Sequence, residues 1–508
     1  MFDSLPALAP YMLILGAFTI VGFKLFKAPR LLVKTYAFIY VLAGFLLSVL
    51  IFAQARERIL LYTIGGFPPP IGITYVVDEF SGFMGLLIAS FFLVFYPVFY
   101  LFSPVIDEYV LALLLGLEAG LLGVVYTGDM FNMFVMLEVI LTSAYGLVAA
   151  SCTKQSYESV LRYLFVAGVG GLFFFTGVTL AYFSVGTLNI GHAGLIASRV
   201  ETGYMGRSLT PATSLLMALA LAFIGLFIEE ALAPFHFWAP GVYGSAPPAV
   251  SATLAALSEA VAYYALLRLS YVLFGEIPQL LSYALIVFGA LSILVGGLGL
   301  LLSEEIGQAF GYTVVMDSGY MAVAAALGAP GVVVVTAYVL AHTIVKPILF
   351  LVSGWAREAA GSGELGLVKG VFRNSLPMQV GLFVGALALT GIPPTLMFYA
   401  KLGVYTALLS YNDTGLFTGI VLLVALTGSL LALAGFSKII SYTVSQPPAR
   451  DFKKPPKALE AYVLALSVLV LLVGLLFPLI EGYIFHLATV QTGGREAYLN
   501  AVLNSLYR

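Results

Sequence analysis

Fourteen apolar stretches follow one another along this chain, at about 7–27, 31–53, 79–103, 108–126, 130–150, 157–184, 210–234, 246–272, 277–301, 305–328, 331–354, 376–409, 415–445 and 458–480. A run of about 18 or more apolar residues is long enough to cross a bilayer as a helix. Charged residues make up only 9% of the sequence and hydrophobic ones 61%, whereas a soluble domain carries about a quarter charged residues. Such a chain cannot cover a water-facing surface. The expected fold is an all-α polytopic membrane protein of about fourteen transmembrane helices. The first run has full spanning length without a small-residue cleavage site, so it reads as a retained helix.

Several function classes are excluded. The net charge of −2 comes with no basic stripe suited to nucleic acid. A single cysteine, Cys152, cannot build a disulfide framework or a cysteine-ligated cluster. The four histidines, His192, His236, His342 and His486, do not pair at metal-ligand spacing. No phosphate-binding loop of the Walker type occurs. The chain is expected to hold no cofactor or metal and to perform no catalytic chemistry itself.

Basic residues set the expected orientation. With the N-terminus outside, the inner loops hold fourteen of them: Lys24, Lys27, Arg30, Lys34, Lys154, Arg162, Arg357, Lys369, Arg373, Lys438, Arg450, Lys453, Lys454 and Lys457. The outer side then holds seven: Arg56, Arg58, Arg199, Arg207, Arg268, Arg495 and Arg508. This asymmetry places both termini outside the cell membrane.

Two segments carry interruptions. The seventh ends in EEALAPFHFWAPGVYGSAPP, with Pro234 and Pro240, and the twelfth contains LTGIPPTLMFYAK, with Pro393 and Pro394. Proline lacks the amide donor and clashes with the preceding turn, so both segments are expected to be broken helices. Irregular backbone at membrane depth is tolerated only inside protein or beside a watery cavity, and paired broken helices point to a transport site. The breaks lie five helices apart. This suggests a three-helix segment at 1–104, five-helix repeats at 105–275 and 276–445, and a basic loop, last helix and short tail at 446–508.

Eight ionisable residues fall inside the spans: Glu118, Glu138, Glu229, Glu230, Glu259, Asp317, Lys346 and Lys401. At about 2.5–3.5 kcal/mol each, their combined insertion cost is roughly 20 kcal/mol or more. Some, Glu118 and Glu230 above all, could instead lie near helix ends or snorkel to the interface. Helical spacing puts Glu138, Thr142 and Tyr145 on one face, as it does Tyr338, His342 and Lys346, and Thr313, Asp317 and Tyr320; Tyr405 lies one turn from Lys401. Such stripes suit a polar seam through the bundle, although interhelical hydrogen bonds serving only as glue would use the same faces. The signs argue for more. Six carboxylates and two lysines cannot all be ionised together in a low dielectric, so some acids must hold a proton or a hard cation such as Na⁺. Both outcomes point to handling of protons or cations.

These residues sit in recognisable wording. TGDMFNMFVMLEVILTSAYGL (127–147), APFHFWAPGVYGSAPPAVSA (233–252), SEEIGQAFGYTVVMDSGYM, AHTIVKPILFLVSG and TGIPPTLMFYAKLGVY resemble, in order, the fifth, seventh to eighth, tenth, eleventh and twelfth helices of one family. It is the antiporter-like subunit family shared by respiratory complex I, Mrp Na⁺/H⁺ antiporters and membrane-bound hydrogenases, and the wording is closest to the Mrp D-type branch. The resemblance covers roughly residues 75–440. It implies fourteen helices with inverted repeats and transport of H⁺, or its exchange for Na⁺, along a central charged row. It also implies other membrane subunits of a larger complex, such as an oxidoreductase, as partners. By match, Glu138 is the fifth-helix glutamate, His342 and Lys346 the eleventh-helix polar pair, and Lys401 the twelfth-helix charge.

Two positions depart from the family. Glu229, followed by Glu230, stands where the seventh-helix lysine is expected, and Glu259 replaces an eighth-helix lysine. The acids of the first half could share protons rather than pair with an ammonium group. Three readings follow: translocation of H⁺ or Na⁺ by a modified path, a non-pumping or half-active spacer in the same complex, and a free-standing secondary transporter.

Overall fold

The computed structural model describes residues 2–102, 107–198, 210–411 and 415–506; of the basic residues used above for orientation, Arg199, Arg207 and Arg508 lie outside them. Six long helices open the chain: α1 (Leu5–Leu25), α2 (Arg30–Ala55), α3 (Glu79–Phe102), α4 (Glu108–Tyr126), α5 (Met130–Ala149) and α6 (Lys154–Val185). A short α7 (Ile190–Ala197) follows, then α8 (Pro211–Glu229), α9 (Ala239–Ser245), α10 (Pro248–Phe274), α11 (Gln279–Leu302), α12 (Ile306–Ala326) and α13 (Ala329–Ala360). The chain continues as α14 (Leu376–Thr390), α15 (Leu396–Ser410), α16 (Leu416–Ile440), α17 (Lys457–Leu475), α18 (Phe477–Gly493) and α19 (Arg495–Ser505).

Among the described residues, twelve helices are long and apolar enough to span a membrane. The two remaining crossings explain themselves. α14 and α15 are shorter, at 15 residues each, and form the twelfth segment as two halves. α12 has 21 residues but is too polar to qualify by composition, and nearly all of it is buried among other helices. Each of the fourteen apolar stretches therefore coincides with helix, twelve of them with a single helix long and apolar enough to span. The bundle has an inner and an outer layer: 94% of the most apolar stretch of α10 is buried, against 28% for α2, α16 and α17. Inner helices touch protein on every side, which is why α10 and α12 lack a pronounced apolar face.

The breaks fall as expected, with one correction. α8 stops at Glu229, Ala231 adopts a left-handed backbone (φ +53) and Pro234 lies in the non-helical link. Pro240 does not break anything. It sits in the first turn of α9, where a missing amide donor costs nothing. In the twelfth segment Gly391 (φ +81) ends α14, and Pro393 and Pro394 fill the gap before α15.

Three features depart from the sequence reading. An antiparallel hairpin pairs Leu60–Thr63 with Thr74–Val77 before α3. The short tail is in fact two helices, α18 and α19, that pack against the bundle. Pro478 in the first turn of α18 separates it from α17. Arg268, expected in an outer loop, is 2% exposed within α10. Its guanidinium grips Asp78 with two hydrogen bonds (2.6 and 2.8 Å) and also donates to Ser81 Oγ (2.7 Å) and Tyr264 Oη (3.1 Å). The ring of Tyr498 from α19 covers it at 5.4 Å. This knot joins the hairpin, α3, α10 and the C-terminal helices.

Removing one member of a buried ion pair strands the other charge. Asp78→Ala is expected to destabilise the purified protein by about 3–5 kcal/mol, and the double change Asp78→Ala with Arg268→Leu to recover most of the loss. Thermal unfolding in detergent reads both.

Candidate functional site

Proline creates the first requirement of the site. Each prolyl ring removes a donor that the carbonyl four residues earlier would have used, and a buried carbonyl without a partner is costly. Pro234 leaves the Glu230 carbonyl, and Ser318 Oγ of α12 donates to it at 2.6 Å. Pro393 leaves the Leu389 carbonyl, and the Lys401 ammonium of α15 donates to it at 2.7 Å. Pro247 leaves the Tyr243 carbonyl, to which Ser251 Oγ donates at 3.0 Å. Pro248 leaves the Gly244 carbonyl, which accepts from Arg357 of α13. Polar side chains from neighbouring segments are thus fixed at the breaks.

Around them runs a row of ionisable groups. In the second half, Lys346 Nζ stands 2.7 Å from Asp317 Oδ2 and 3.1 Å from Thr313 Oγ1. Asp317 Oδ2 also lies 3.4 Å from His342 Nε2, while the other ring nitrogen of His342 is 3.7 Å from Glu259 Oε2. All four side chains are almost fully buried. His342 therefore stands between an acid of α10 and an acid of α12, at the junction of the two halves. Pro347 follows Lys346 within α13, so the Thr343 carbonyl has no amide partner at that turn.

Lys401 continues the row. Besides the Leu389 carbonyl it reaches Ser429 Oγ at 3.2 Å and sits 4.3 Å from the centroid of the Tyr320 ring. Tyr405 also bonds Ser429, at 2.8 Å. Lys401 lies within electrostatic reach of Asp317 and Lys346.

The first half is acidic. Glu138 of α5 is half-buried and faces Gly171 of α6, where a Cβ would come within 2.2 Å of Glu138 Oε1. Glu138, Glu229 and Tyr145 lie within electrostatic reach of one another. Glu230 interacts in turn with Glu229 and Glu259, and Glu259 with Lys346 and Asp317. Glu230 and Glu259 are buried; Glu230 lies beside the Tyr263 hydroxyl, and no hydrogen bond reaches the carboxyl oxygens of Glu259 among the described residues. Nowhere in this half does an ammonium or guanidinium group face Glu138 or Glu229 within ion-pair distance, among the described residues.

The structure thus brings together seven of the eight acids and lysines expected, plus His342. Glu118 is the exception. It is neither near a helix end nor at the interface: it sits in the middle of α4, fully buried, facing Gly44 of α2 and apart from the row. Glu230 does lie at a helix end, directly after α8, but it is fully buried rather than interfacial. Thr142 is exposed and does not join the seam. Ser318 and Ser429 escape a reading of the sequence. Their only signal is that each adjoins a glycine within an apolar helix, Gly319 and Gly428.

Separately, a cavity of about 570 Å³ opens where the α5–α6 link, the start of α10 and the end of α13 meet. Glu305, Glu358 and Glu364 line it, together with Arg357, whose guanidinium is held by the Gly244 and Ala246 carbonyls.

A polytopic helical protein with broken helices and a buried row of acids and lysines has, as a class, the build of an antiporter-like membrane subunit. The particular relation is specific: residues 127–432 match the family described as NADH:quinone oxidoreductase/Mrp antiporter, TM, and the chain belongs to it. It is 31% identical over 418 residues to the N subunit of NADH-quinone oxidoreductase from Desulforudis audaxviator, covering 80% of each chain. It is 27% identical over 446 residues to the D-type Na⁺/H⁺ antiporter subunit of Alkalihalophilus pseudofirmus, covering 86% of each. Its fold superposes on a chain of the Mrp complex from Dietzia sp. with a TM-score of 0.87 at 25% identity, covering 98% of this chain and 100% of that one. A chain of the archaeal membrane-bound sulfane sulfur reductase gives 0.88 at 25% identity, with the same coverage.

Ser318→Ala should leave the Glu230 carbonyl without a donor and lower stability by about 1–3 kcal/mol. Ser318→Thr, which keeps the hydroxyl, should lose less. Chemical unfolding in mixed micelles distinguishes the two.

Proposed function

We propose that this chain moves cations, H⁺ or Na⁺, along the row from Glu138 to Lys401, as one membrane subunit of a multisubunit respiratory or antiporter assembly. The observation that carries the reading is continuity. Glu138, Glu229, Glu230 and Glu259 lie in that order within electrostatic reach of one another, and from Glu259 the row passes through His342 (3.7 Å), Asp317 (3.4 Å) and Lys346 (2.7 Å), with Lys401 within electrostatic reach beyond. Buried groups coupled in this way titrate together, so a charge arriving at one end alters the occupancy of the next site. The relatives named above, a quinone oxidoreductase subunit and an antiporter subunit, support both the transport reading and the multisubunit setting.

The acidic cavity beside α10 suits entry of a cation, because clustered carboxylates raise the local cation concentration. In this reading the basic loops face the cytoplasm, both termini lie outside, and 105–275 and 276–445 are inverted repeats. The similar placement of the two proline breaks supports that division.

A second reading has one specific observation in its favour. Glu229 and Glu259 leave the first half without an ammonium partner, so that half could be inert and the subunit a spacer. Glu138→Gln and Lys401→Ala are expected each to lower ion pumping by the assembled complex while leaving assembly intact, as read by proton or sodium uptake into proteoliposomes. Survival of pumping in both would favour the spacer. Glu229→Lys should be tolerated if the site is a variant of the lysine-based mechanism, and should remove sodium dependence if the acids hold Na⁺.

A further inference from the structure

Away from the row, the loops before α14 and α17 gather six cations: Lys369, Arg373, Arg450, Lys453, Lys454 and Lys457. Among the described residues none of them has a carboxylate within 4.0 Å. Three other basic residues assigned to that side do have partners. Lys24 pairs with Asp107 at 3.7 Å and Lys154 with Glu158 at 3.8 Å, and Lys438 donates to the Leu301 and Ser303 carbonyls. The nearest acids offer little compensation. Glu460 accepts from Ser375 at 2.6 Å, and Asp451 is exposed.

Three of these cations, Arg450, Lys453 and Lys454, line a cleft of about 90 Å³ together with Asn374, Ser375 and the carboxylate-bearing Asp451. That is room for a group well beyond one water. Arg450 is already oriented by its hydrogen bond to the Ala359 carbonyl and by the Phe452 ring. Orientation of the chain in the membrane needs basic residues on this side, but it does not need them unpaired around a cleft.

Apolar surface adjoins the cleft. Leu376, next to Ser375, is 70% exposed. Along α17, Leu464, Val468, Leu472 and Leu475 form an exposed stripe with helical spacing. Eleven residues of helix cover about 16 Å, close to the depth of one leaflet. A cationic cleft above an apolar stripe matches a ligand with an anionic phosphate head and hydrocarbon tails. A free anion would need only the first part.

We propose that this cleft binds the headgroup of an anionic phospholipid from the leaflet on the basic side, with its acyl chains along α17. The site is independent of what the row conducts. At about 1 kcal/mol per basic residue, removing three charges should weaken retention of the lipid roughly a hundredfold. The test uses the full chain in phosphatidylcholine discs containing a minor fraction of phosphatidylglycerol, with retained lipid counted by native mass spectrometry. Wild type should keep phosphatidylglycerol selectively. The variant carrying Arg450→Gln, Lys453→Gln and Lys454→Gln should lose that selectivity, and Lys154→Gln, distant and exposed, should keep it. Unchanged retention in the triple variant, or equal loss in Lys154→Gln, overturns the proposal. Displacement by inorganic phosphate would assign the cleft to a free anion instead. Cross-links from Lys453 into another subunit of the assembled complex would assign it to a protein partner.

Discussion

A backbone carbonyl buried in a membrane protein needs a donor, and proline denies it the usual one. Around the broken seventh and twelfth segments four carbonyls meet that condition, and the side chains of Ser318, Lys401, Ser251 and Arg357 satisfy them. The consequence reaches beyond local geometry. Ser318 is held at the break after α8 and adjoins Asp317, so the donor that repairs the backbone also fixes the turn carrying the central acid. Lys401 is held by the carbonyl its own segment leaves open, which keeps its ammonium over the Tyr320 ring and within reach of Asp317. The broken helices are thus what hold the charged row in register.

The two halves of the row have different electrostatic characters. In the second, Asp317 sits between Lys346 and His342, and the charges are near balance. In the first, Glu138, Glu229 and Glu230 have no cationic partner, and the boundary is the single imidazole of His342 facing Glu259. Among the described residues no ammonium or guanidinium group stands within ion-pair distance of these three acids.

Much of this is legible in the sequence. The long apolar runs mark fourteen crossings, the Pro-Pro and Ala-Pro pairs locate the breaks, and an acid or lysine within an apolar run is conspicuous by cost alone. What stays hidden has physical reasons. Arg268 lies nine residues beyond Glu259 near the end of an apolar run, and its burial depends on Asp78, 190 residues away, a pairing no local pattern reveals. The helices α18 and α19 mix polar and apolar residues too evenly for hydropathy to separate them from a tail. Ser318 and Ser429 look like ordinary small residues until the proline four places after their distant partner, or the lysine opposite, is known.

The composition of α12 bears on how the protein is made. A helix carrying Gln308, Thr313, Asp317 and Ser318 is costlier to place in lipid by itself than its apolar neighbours. The strongly apolar α11 and α13 flank it in sequence and pack against it in the bundle, so the three enter most readily as a unit, with Asp317 already facing Lys346. The ion pair at the centre of the row would then form during biogenesis, before the second broken helix has been synthesised.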